Sequence, residues 1–540
     1  MPQLTPFAIF ITVLCLYIIK RIFKSSSSLP LPPGPRPLPI IGNVHQAPRS
    51  HAWKQFHTWG KEYGPIFHLN MLGQPVIVLS TSAAAHELLA RRGATFSDRP
   101  RLFLGGELAL KGLNTLLMSY DERFRQHQKL ENSVLNQKAA STYIPFQALE
   151  SKQLLLDLLQ SGGGSGTDCR PHFERTAAST LLALFYGFRL ETAEDPALLA
   201  EISLTEDFSE FVQAGAHIVD TFPILNNLPS FLAPWKAKAE SHWARQRALH
   251  IGNFQRGLDT SNWTFAKHLH KAVQDGDISM QVDELALELG TIIGAALDGT
   301  TETVMWFVVA CVTQNRGFIV RAQKDLDIVV GRNRLPNFED KPKLTYISAI
   351  VEEILRWRPA GAGGVPHFTK TENNYEGYRI PAGSIIIPNH WAITREEKVF
   401  GPDVDQFIPE RWMEQESPKT GVLKDLPVVG FGYGRRTCPG RHLARNFVWM
   451  AIAQLLWAFD IEAGLSEETG QPEYIDAEAS TDGLAMRPLP FKALFKLRGP
   501  WVRDIIMREC GTLDSDFTSL LNRIGDEIQS QSHKDKKVSP

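Results

Sequence analysis

Apolar residues are spread unevenly along this chain, and the first block of them is the most uniform. Residues 2–19 carry no charge, and 7–19 are nearly all aliphatic or aromatic, the length of a minimal membrane span. Lys20, Arg21 and Lys24 follow at once and no basic residue precedes them, so the positive-inside rule puts the rest of the chain on the cytoplasmic side. A cleaved signal peptide has the opposite charge order and a small-residue cleavage site. The pattern therefore predicts an N-terminal transmembrane helix, a single-pass anchor over residues 1–24. LPLPPGPRPLPIIGN follows at 29–43, where proline fixes backbone angles and removes amide donors. Residues 25–45 thus read as a stiff, proline-rich hinge between anchor and body.

Within the body, residues 66–79 are broken by Gly73-Gln74-Pro75 and predict a hairpin, whereas most later segments carry helical periodicity. The fold class is mainly α with a smaller β region. The GGGSG run at 162–166 and the proline-bearing stretch at 222–234 read as connections, not domain boundaries. No fixed-period repeat is present, which excludes a solenoid or propeller. The longest helical pattern, from about 279 to 314, has no proline, and some thirty residues span about 45 Å. It is apolar enough to be buried, yet Glu284, Glu288, Asp298 and Glu302 interrupt it too often for a second membrane crossing.

Composition narrows the class further. With 43% hydrophobic and 21% charged residues the chain is globular, not disordered or collagen-like. Its 57 basic and 59 acidic side chains leave a net charge of −2, without the electrostatic footprint of a nucleic-acid protein. The five cysteines, Cys15, Cys169, Cys311, Cys438 and Cys510, are widely spaced and form no C-x-x-C pair. Neither a disulfide scaffold nor a structural zinc site is implied.

Two segments carry candidate chemistry. In the long helix, Gly294-Ala295-Ala296-Leu297-Asp298-Gly299-Thr300-Thr301 gathers small residues, an acid and hydroxyls, poor choices for helix stability alone. Small side chains admit something flat or large, and threonine bonding back to a carbonyl bends a helix. A tightly packed helix crossing with a capping acid explains the same residues. The second segment is Phe431-Gly432-Tyr433-Gly434-Arg435-Arg436-Thr437-Cys438-Pro439-Gly440, followed by a helix-like run. A single cysteine there sits where arginines and a helix start favour a thiolate, a ligand for soft or redox metals.

With its neighbours, this loop resembles the haem-binding signature F-x-x-G-x-R-x-C-x-G of the cytochrome P-450 family at every specified position. Glu353-Ile354-Leu355-Arg356 is similar to that family's E-x-x-R helix motif, and Phe407-Ile408-Pro409-Glu410-Arg411-Trp412 to its P-E-R-F-like segment, in the family's order. The resemblance runs to about residue 497. It implies a cytochrome P-450 catalytic domain over 46–500, followed by a polar C-terminal extension over 501–540.

By this resemblance, Cys438 is the axial ligand of the iron of haem b, iron protoporphyrin IX, and favours O–O cleavage. Phe431 packs beside it, Gly434 and Gly440 permit close backbone approach, and Arg436 and His367 are propionate donors. Glu353, Arg356 and Arg411 form a buried structural network. The family's A-G-x-[D/E]-T pattern is incomplete in both registers, 295–299 and 296–300. The expectation is that Asp298 and Thr300 still deliver protons with ordered water, helped by a local distortion that Gly299 eases. The family's W-x-x-x-R helix is matched imperfectly at 120–129, where Phe124 and Gln128 replace tryptophan and arginine. One propionate contact then passes to His127 or, less well, Arg125.

The implied activity is that of a haem-thiolate monooxygenase. It would insert one atom of dioxygen, its co-substrate, into a hydrophobic small molecule, in the style of fungal secondary-metabolite biosynthesis. No dinucleotide- or flavin-binding unit is apparent in the chain. Electrons from NADPH then arrive through a membrane-bound NADPH–cytochrome P-450 reductase, steered by Arg435, Arg441, Lys129 and Lys138. The location implied is the endoplasmic reticulum membrane, with membrane lipid as a partner and nucleic acid not. Two alternatives remain open, a haem-thiolate isomerase, dehydratase or peroxygenase, and a non-enzymatic membrane-anchored haem or lipid-binding protein.

Overall fold

A computed structural model describes residues 29–161, 164–213, 215–413, 430–511 and 513–538. The expected anchor at 1–24 lies outside them, as does the start of the hinge.

The predicted hairpin forms as β1 (Ile66–Met71) and β2 (Gln74–Leu79), paired antiparallel from Ile66 opposite Leu79 to Met71 opposite Gln74. Its two-residue turn holds Leu72 and Gly73 at φ of 53° and 89°, the left-handed geometry that matches strand twist. The main helices are α1 (Ala52–Tyr63), α2 (Glu122–Leu135), α3 (Ile144–Ser161), α4 (Arg170–Tyr186), α5 (Pro196–Phe211), α6 (Pro234–Asp259), α7 (Phe265–Gln274), α8 (Val282–Thr313), α9 (Gly317–Val329) and α10 (Thr345–Trp357). Strands β3 (His367–Thr369), β4 (Asn373–Tyr375), β5 (Tyr378–Ile380) and β6 (Ser384–Pro388) follow, then α11 (Arg441–Ala458), β7 (Phe459–Ala463), β8 (Ala493–Leu497), α12 (Pro500–Cys510) and α13 (Leu513–Val538). One sheet has the order β1-β2-β6-β3, with β2 and β6 parallel, and β4-β5 and β7-β8 form two small antiparallel pairs.

Helix α8 organises the core. It is the one helix among the described residues long and apolar enough to cross a membrane, but 72% of its most apolar window is buried inside the protein, so it is a core helix. Residues 304–311 are all buried and pack with α10 and α11, where Trp306 meets Trp357 edge-on at 6.3 Å. The N-terminal half of α8 packs instead with α4, α6 and α7. This switch of partners lets one helix pass beside a cavity while both its ends stay anchored.

The described part of the proline-rich segment is docked on the sheet. Prolines have no amide to donate, but their carbonyls accept: Pro33 O from His68 N at 2.8 Å, Pro30 O from Arg379 N at 2.7 Å, Pro35 O from Asn43 Nδ2 at 2.9 Å. The C-terminal extension also folds onto the body. Leu521, Ile524 and Ile528 of α13 repeat at helical spacing and are buried, and Phe517 packs against Phe146 at 5.8 Å.

Candidate active site

The Cys438 loop is shaped by its glycines and by the start of α11. Cys438 N donates to Phe431 O at 2.8 Å, folding the loop so that the sulfur stands ahead of the helix. Gly434 has a φ of 56°, and a Cβ there would overlap the Leu89 carbonyl oxygen, so only glycine fits. At Gly440 a Cβ would stand 3.8 Å from the Cys438 sulfur, an ordinary van der Waals contact. Burial pushes the thiol up to about 11, while the amides of Gly440 and Arg441 pull it back toward the thiolate. Their N–H groups are the donors that an anionic sulfur requires.

Cys438 opens into a cavity lined on its own side by Phe431, Pro439, Gly440 and Leu443, and on the other by residues of α8. Among the described residues no group of three His, Cys, Asp or Glu side chains is placed to hold a metal ion.

One wall of the same cavity is cationic. Arg99, Arg436 and His367 line it together. Arg436 donates to the carbonyls of Ser97 at 2.8 Å, Thr115 at 3.1 Å and Met118. Arg99 donates to those of Leu116 at 2.9 Å, Val365 at 3.1 Å and Pro366 at 2.7 Å. Backbone carbonyls orient both guanidiniums without neutralising them. Burial, with Arg436 beside it, drives the Arg99 pKa well down, and burial brings Arg436 to about 10. His367 Nδ1 donates to Phe96 O at 2.7 Å, and burial with the two arginines holds the ring neutral. Two cations without a carboxylate bonded to either side chain among the described residues form a receptor for an anionic ligand.

A family profile described as Cytochrome P450 matches residues 32–495. The chain is similar to cytochrome P450 monooxygenase aneD of Aspergillus aculeatus, 37% identical over 496 residues that cover 92% of this chain and 93% of that protein. It is also similar to cytochrome P450 monooxygenase FrzL of Cladobotryum sp, at 33% identity with 93% and 94% covered, and to cytochrome P450 monooxygenase drtD of Aspergillus calidoustus, at 34% with 89% and 88% covered. The chain belongs to the cytochrome P450 family. These relatives are named as monooxygenases, and this P450 is a haem-thiolate monooxygenase.

Haem fits the P450 site on both counts already described, a lone sulfur with its backbone donors and a buried cationic wall for two carboxylates. Arg99 is the residue that sequence reasoning missed. Nothing local to the Ser97-Asp98-Arg99-Pro100 segment shows that its arginine turns toward Arg436. His127 does not line the cavity. Its Nδ1 lies 2.8 Å from Glu288 and its Nε2 2.7 Å from Glu284, one turn apart on α8. Burial lowers its pKa, but the two carboxylates outweigh burial and hold it above the ordinary value. Its neighbour Gln128 faces the cavity and donates to Arg435 O at 2.7 Å. Arg125, the second candidate, is exposed and pairs with Glu122 at 2.7 Å.

On α8, Asp298, Gly299, Thr300 and Thr303 all line the cavity. The local distortion expected at Gly299 is absent. The helix runs unbroken from Val282 to Thr313, with Thr300 Oγ1 donating to Ala296 O and Thr303 Oγ1 to Gly299 O at 2.8 Å. These bonds stay within one helical turn, so the hydroxyls are absorbed without a break. A Cβ at Gly299 would meet nothing within 4 Å, so its missing side chain leaves room on the cavity face. Asp298 lies 2.9 Å from Arg487; burial raises its carboxyl pKa and Arg487 opposes that rise. Arg487 approaches Glu302 at 3.6 Å, and Glu302 is bound by Arg170.

Beneath the loop, Glu353 collects five donors: Arg356 Nε at 2.8 Å and Nη2 at 2.7 Å, Ile408 N at 2.8 Å, Arg411 Nε at 3.2 Å and Trp412 Nε1 at 2.8 Å. Arg356 also donates to the carbonyls of Thr394, Val404 and Gln406, tying α10 to the segment ahead of the cysteine loop.

Proposed function

We propose that this P450 oxygenates an apolar small molecule of fungal secondary metabolism at the endoplasmic reticulum membrane, with electrons from NADPH passed on by NADPH–cytochrome P-450 reductase. The overall change is RH + O2 + NADPH + H+ giving ROH, water and NADP+. The observation that carries the reading is Cys438, presented to the cavity with amide donors at its sulfur and a cationic wall beside it.

Bound haem supplies the reductive activation of dioxygen. In this chain, Cys438 would hold its iron, and Arg99, Arg436 and His367 its propionates. Phe431 packs beside the sulfur, and Gly434 and Gly440 let backbone approach closely. Thr300, its proton committed to Ala296 O, turns oxygen lone pairs toward the cavity and positions a water there. Asp298, with a raised carboxyl pKa, exchanges a proton with that water. Leu181, Leu204, Phe208 and Val365 exclude bulk water and hold an apolar ligand. Exposed Lys129, Lys138 and Arg435, with half-buried Arg441, lie on α2, the short helix Gln137–Thr142 after it, the cysteine loop and the start of α11, and support docking of an acidic reductase.

The test is the spectrum of the reduced carbon monoxide complex and its loss in Cys438→Ser. Turnover of the intermediate that accumulates in a deletion strain is then compared with NADPH and reductase, with peroxide, and with neither. Turnover by peroxide alone would replace the reading with a peroxygenase, turnover with neither would indicate an isomerase or dehydratase, and no turnover a binding protein.

A further inference from the structure

Part of the cavity, between α5, α6 and α8, is lined by polar side chains that the oxygenation reaction does not use. Glu201 of α5 and His242 and His250 of α6 are 1%, 1% and 3% exposed, and all three line the cavity. His242 and His250 stand two helical turns apart on one face of α6. Gly290 of α8 makes room for the His250 ring, which a Cβ there would overlap. Burial of three such groups is costly unless they find partners.

Among the described residues their partners are incomplete. His250 Nε2 lies 3.4 Å from Glu201 Oε2, and His242 Nδ1 lies 3.3 Å from Asp207 Oδ2. Glu201 Oε1, His242 Nε2 and both ring nitrogens of His250 have no hydrogen-bond partner among the described residues. A ring that directs its N–H at the carboxylate it faces leaves its other nitrogen, His242 Nε2 or His250 Nδ1, as a lone pair. Burial lowers the His242 pKa and keeps that ring neutral. The nearby hydroxyls show the same polarity. Thr205 Oγ1 donates to Glu201 O at 2.9 Å and Thr291 Oγ1 to Leu287 O at 3.0 Å, so both present lone pairs. No lysine or arginine lines this part of the cavity. Gln246, between the two histidines on α6, also lines it with an amide that can donate or accept, so this part is rich in acceptors and carries the formal negative charge of Glu201.

We infer that Glu201, His242 and His250 form a subsite that binds a protonated aliphatic amine on the otherwise apolar substrate, directing the far end of the molecule toward Cys438. An ammonium donates only, and its charge complements Glu201. This subsite rests on the monooxygenase reading, since it places the substrate for that reaction.

The test titrates the haem-loaded full-length enzyme with two probes of equal chain length, dodecyldimethylamine and 1-dodecanol, and follows the haem absorption. The expected result is a shift to the high-spin form with both probes, and about tenfold tighter binding of the amine. Glu201→Gln should remove the amine's advantage and leave 1-dodecanol unchanged, and His242→Phe should reduce it severalfold. An unshifted carbon monoxide spectrum in both variants shows that they fold and keep haem. Equal affinities for the two probes in the wild type, an unchanged amine affinity in both variants, or a spectrum of nitrogen bound to iron would each overturn the subsite. Absence of a thiolate spectrum in the wild type would instead overturn the monooxygenase reading beneath it.

Discussion

Replacing Glu353 by glutamine is the sharpest test of how the cysteine loop is held. The side chains of Glu353 and Arg356 are both 0% exposed, and the carboxylate accepts from five donors. Glutamine has the same shape but replaces one acceptor oxygen with a donor. The oxygen that remains can serve Arg356 Nη2, Ile408 and Arg411, while the new amide faces Arg356 Nε and Trp412 Nε1, donor against donor. Arg356 is left buried beside a neutral group, a loss of about 3–5 kcal/mol. At about 2 cal/mol/K of unfolding entropy per residue, a body of roughly 450 residues loses about 1 kcal/mol per degree, so the melting temperature falls by about 3–5 °C. Differential scanning calorimetry measures the fall, and loss of the carbon monoxide spectrum on heating shows whether the loop goes first. The double substitution Glu353→Met with Arg356→Met should cost less than the two single changes added together, because it leaves neither charge alone. A fall below about 1 °C in Glu353→Gln, or strict additivity in the double variant, would refute a cooperative buried network.

Three further outcomes follow from the site. Arg99→Leu leaves Arg436 and His367 in place but halves the full charge on the cationic wall, so the purified protein should hold less haem per chain, measured by pyridine haemochrome; full retention would remove Arg99 from the wall's function. Thr300→Ala removes the hydroxyl oxygen that positions water, so peroxide released per NADPH consumed should rise severalfold, and unchanged coupling would sink that assignment. His390 donates from Nδ1 to Gly361 O at 3.0 Å, and burial lowers its pKa to about 4. Between that value and the unfolded one near 6.5, the unfolded chain binds more protons, so stability is full above about pH 6.5 and declines by up to about 3 kcal/mol toward pH 4. Urea midpoints at pH 7 and pH 5 should differ less in His390→Phe than in the wild type, and an equal difference would exclude this residue as a source of the decline.

Legibility in the sequence followed the distance over which each feature is determined. The cysteine loop, the hairpin and the long helix are set within tens of residues, and there the spacing of glycines, of the apolar run and of Glu353 and Arg356 carries the information. The helix expected at 279–314 is observed as Val282–Thr313. Arg99 was missed because its place depends on three separate segments, holding residues 99, 367 and 436, that meet only in the fold. His127 was misread for the opposite reason. It has the right charge for a propionate, but α8 brings Glu284 and Glu288 to both its nitrogens. The tail at 501–540 read as polar because charged positions outnumber the few that matter, Val502, Ile505, Leu521, Ile524 and Ile528, whose spacing alone docks two helices.

The net charge of −2 illustrates how a total conceals an arrangement. Arg99 and Arg436 stand on one wall of the cavity, while Glu201 and the acceptor atoms of His242 and His250 line another part of it, and neither set is neutralised by side chains of the opposite charge bonded in full. Two propionates would cancel the first field when haem binds, leaving the second as the remaining charge that a substrate meets. An apolar molecule with an amine at one end would then be drawn to α5 and α6 by the carboxylate of Glu201. Once its charge is cancelled the wall that receives the cofactor neither attracts nor repels the amine, so the preference for one orientation rests on Glu201. On this argument Glu201→Gln changes which carbon is oxidised as well as how tightly the amine binds, because removing the attraction leaves orientation to apolar contacts that distinguish the two ends weakly.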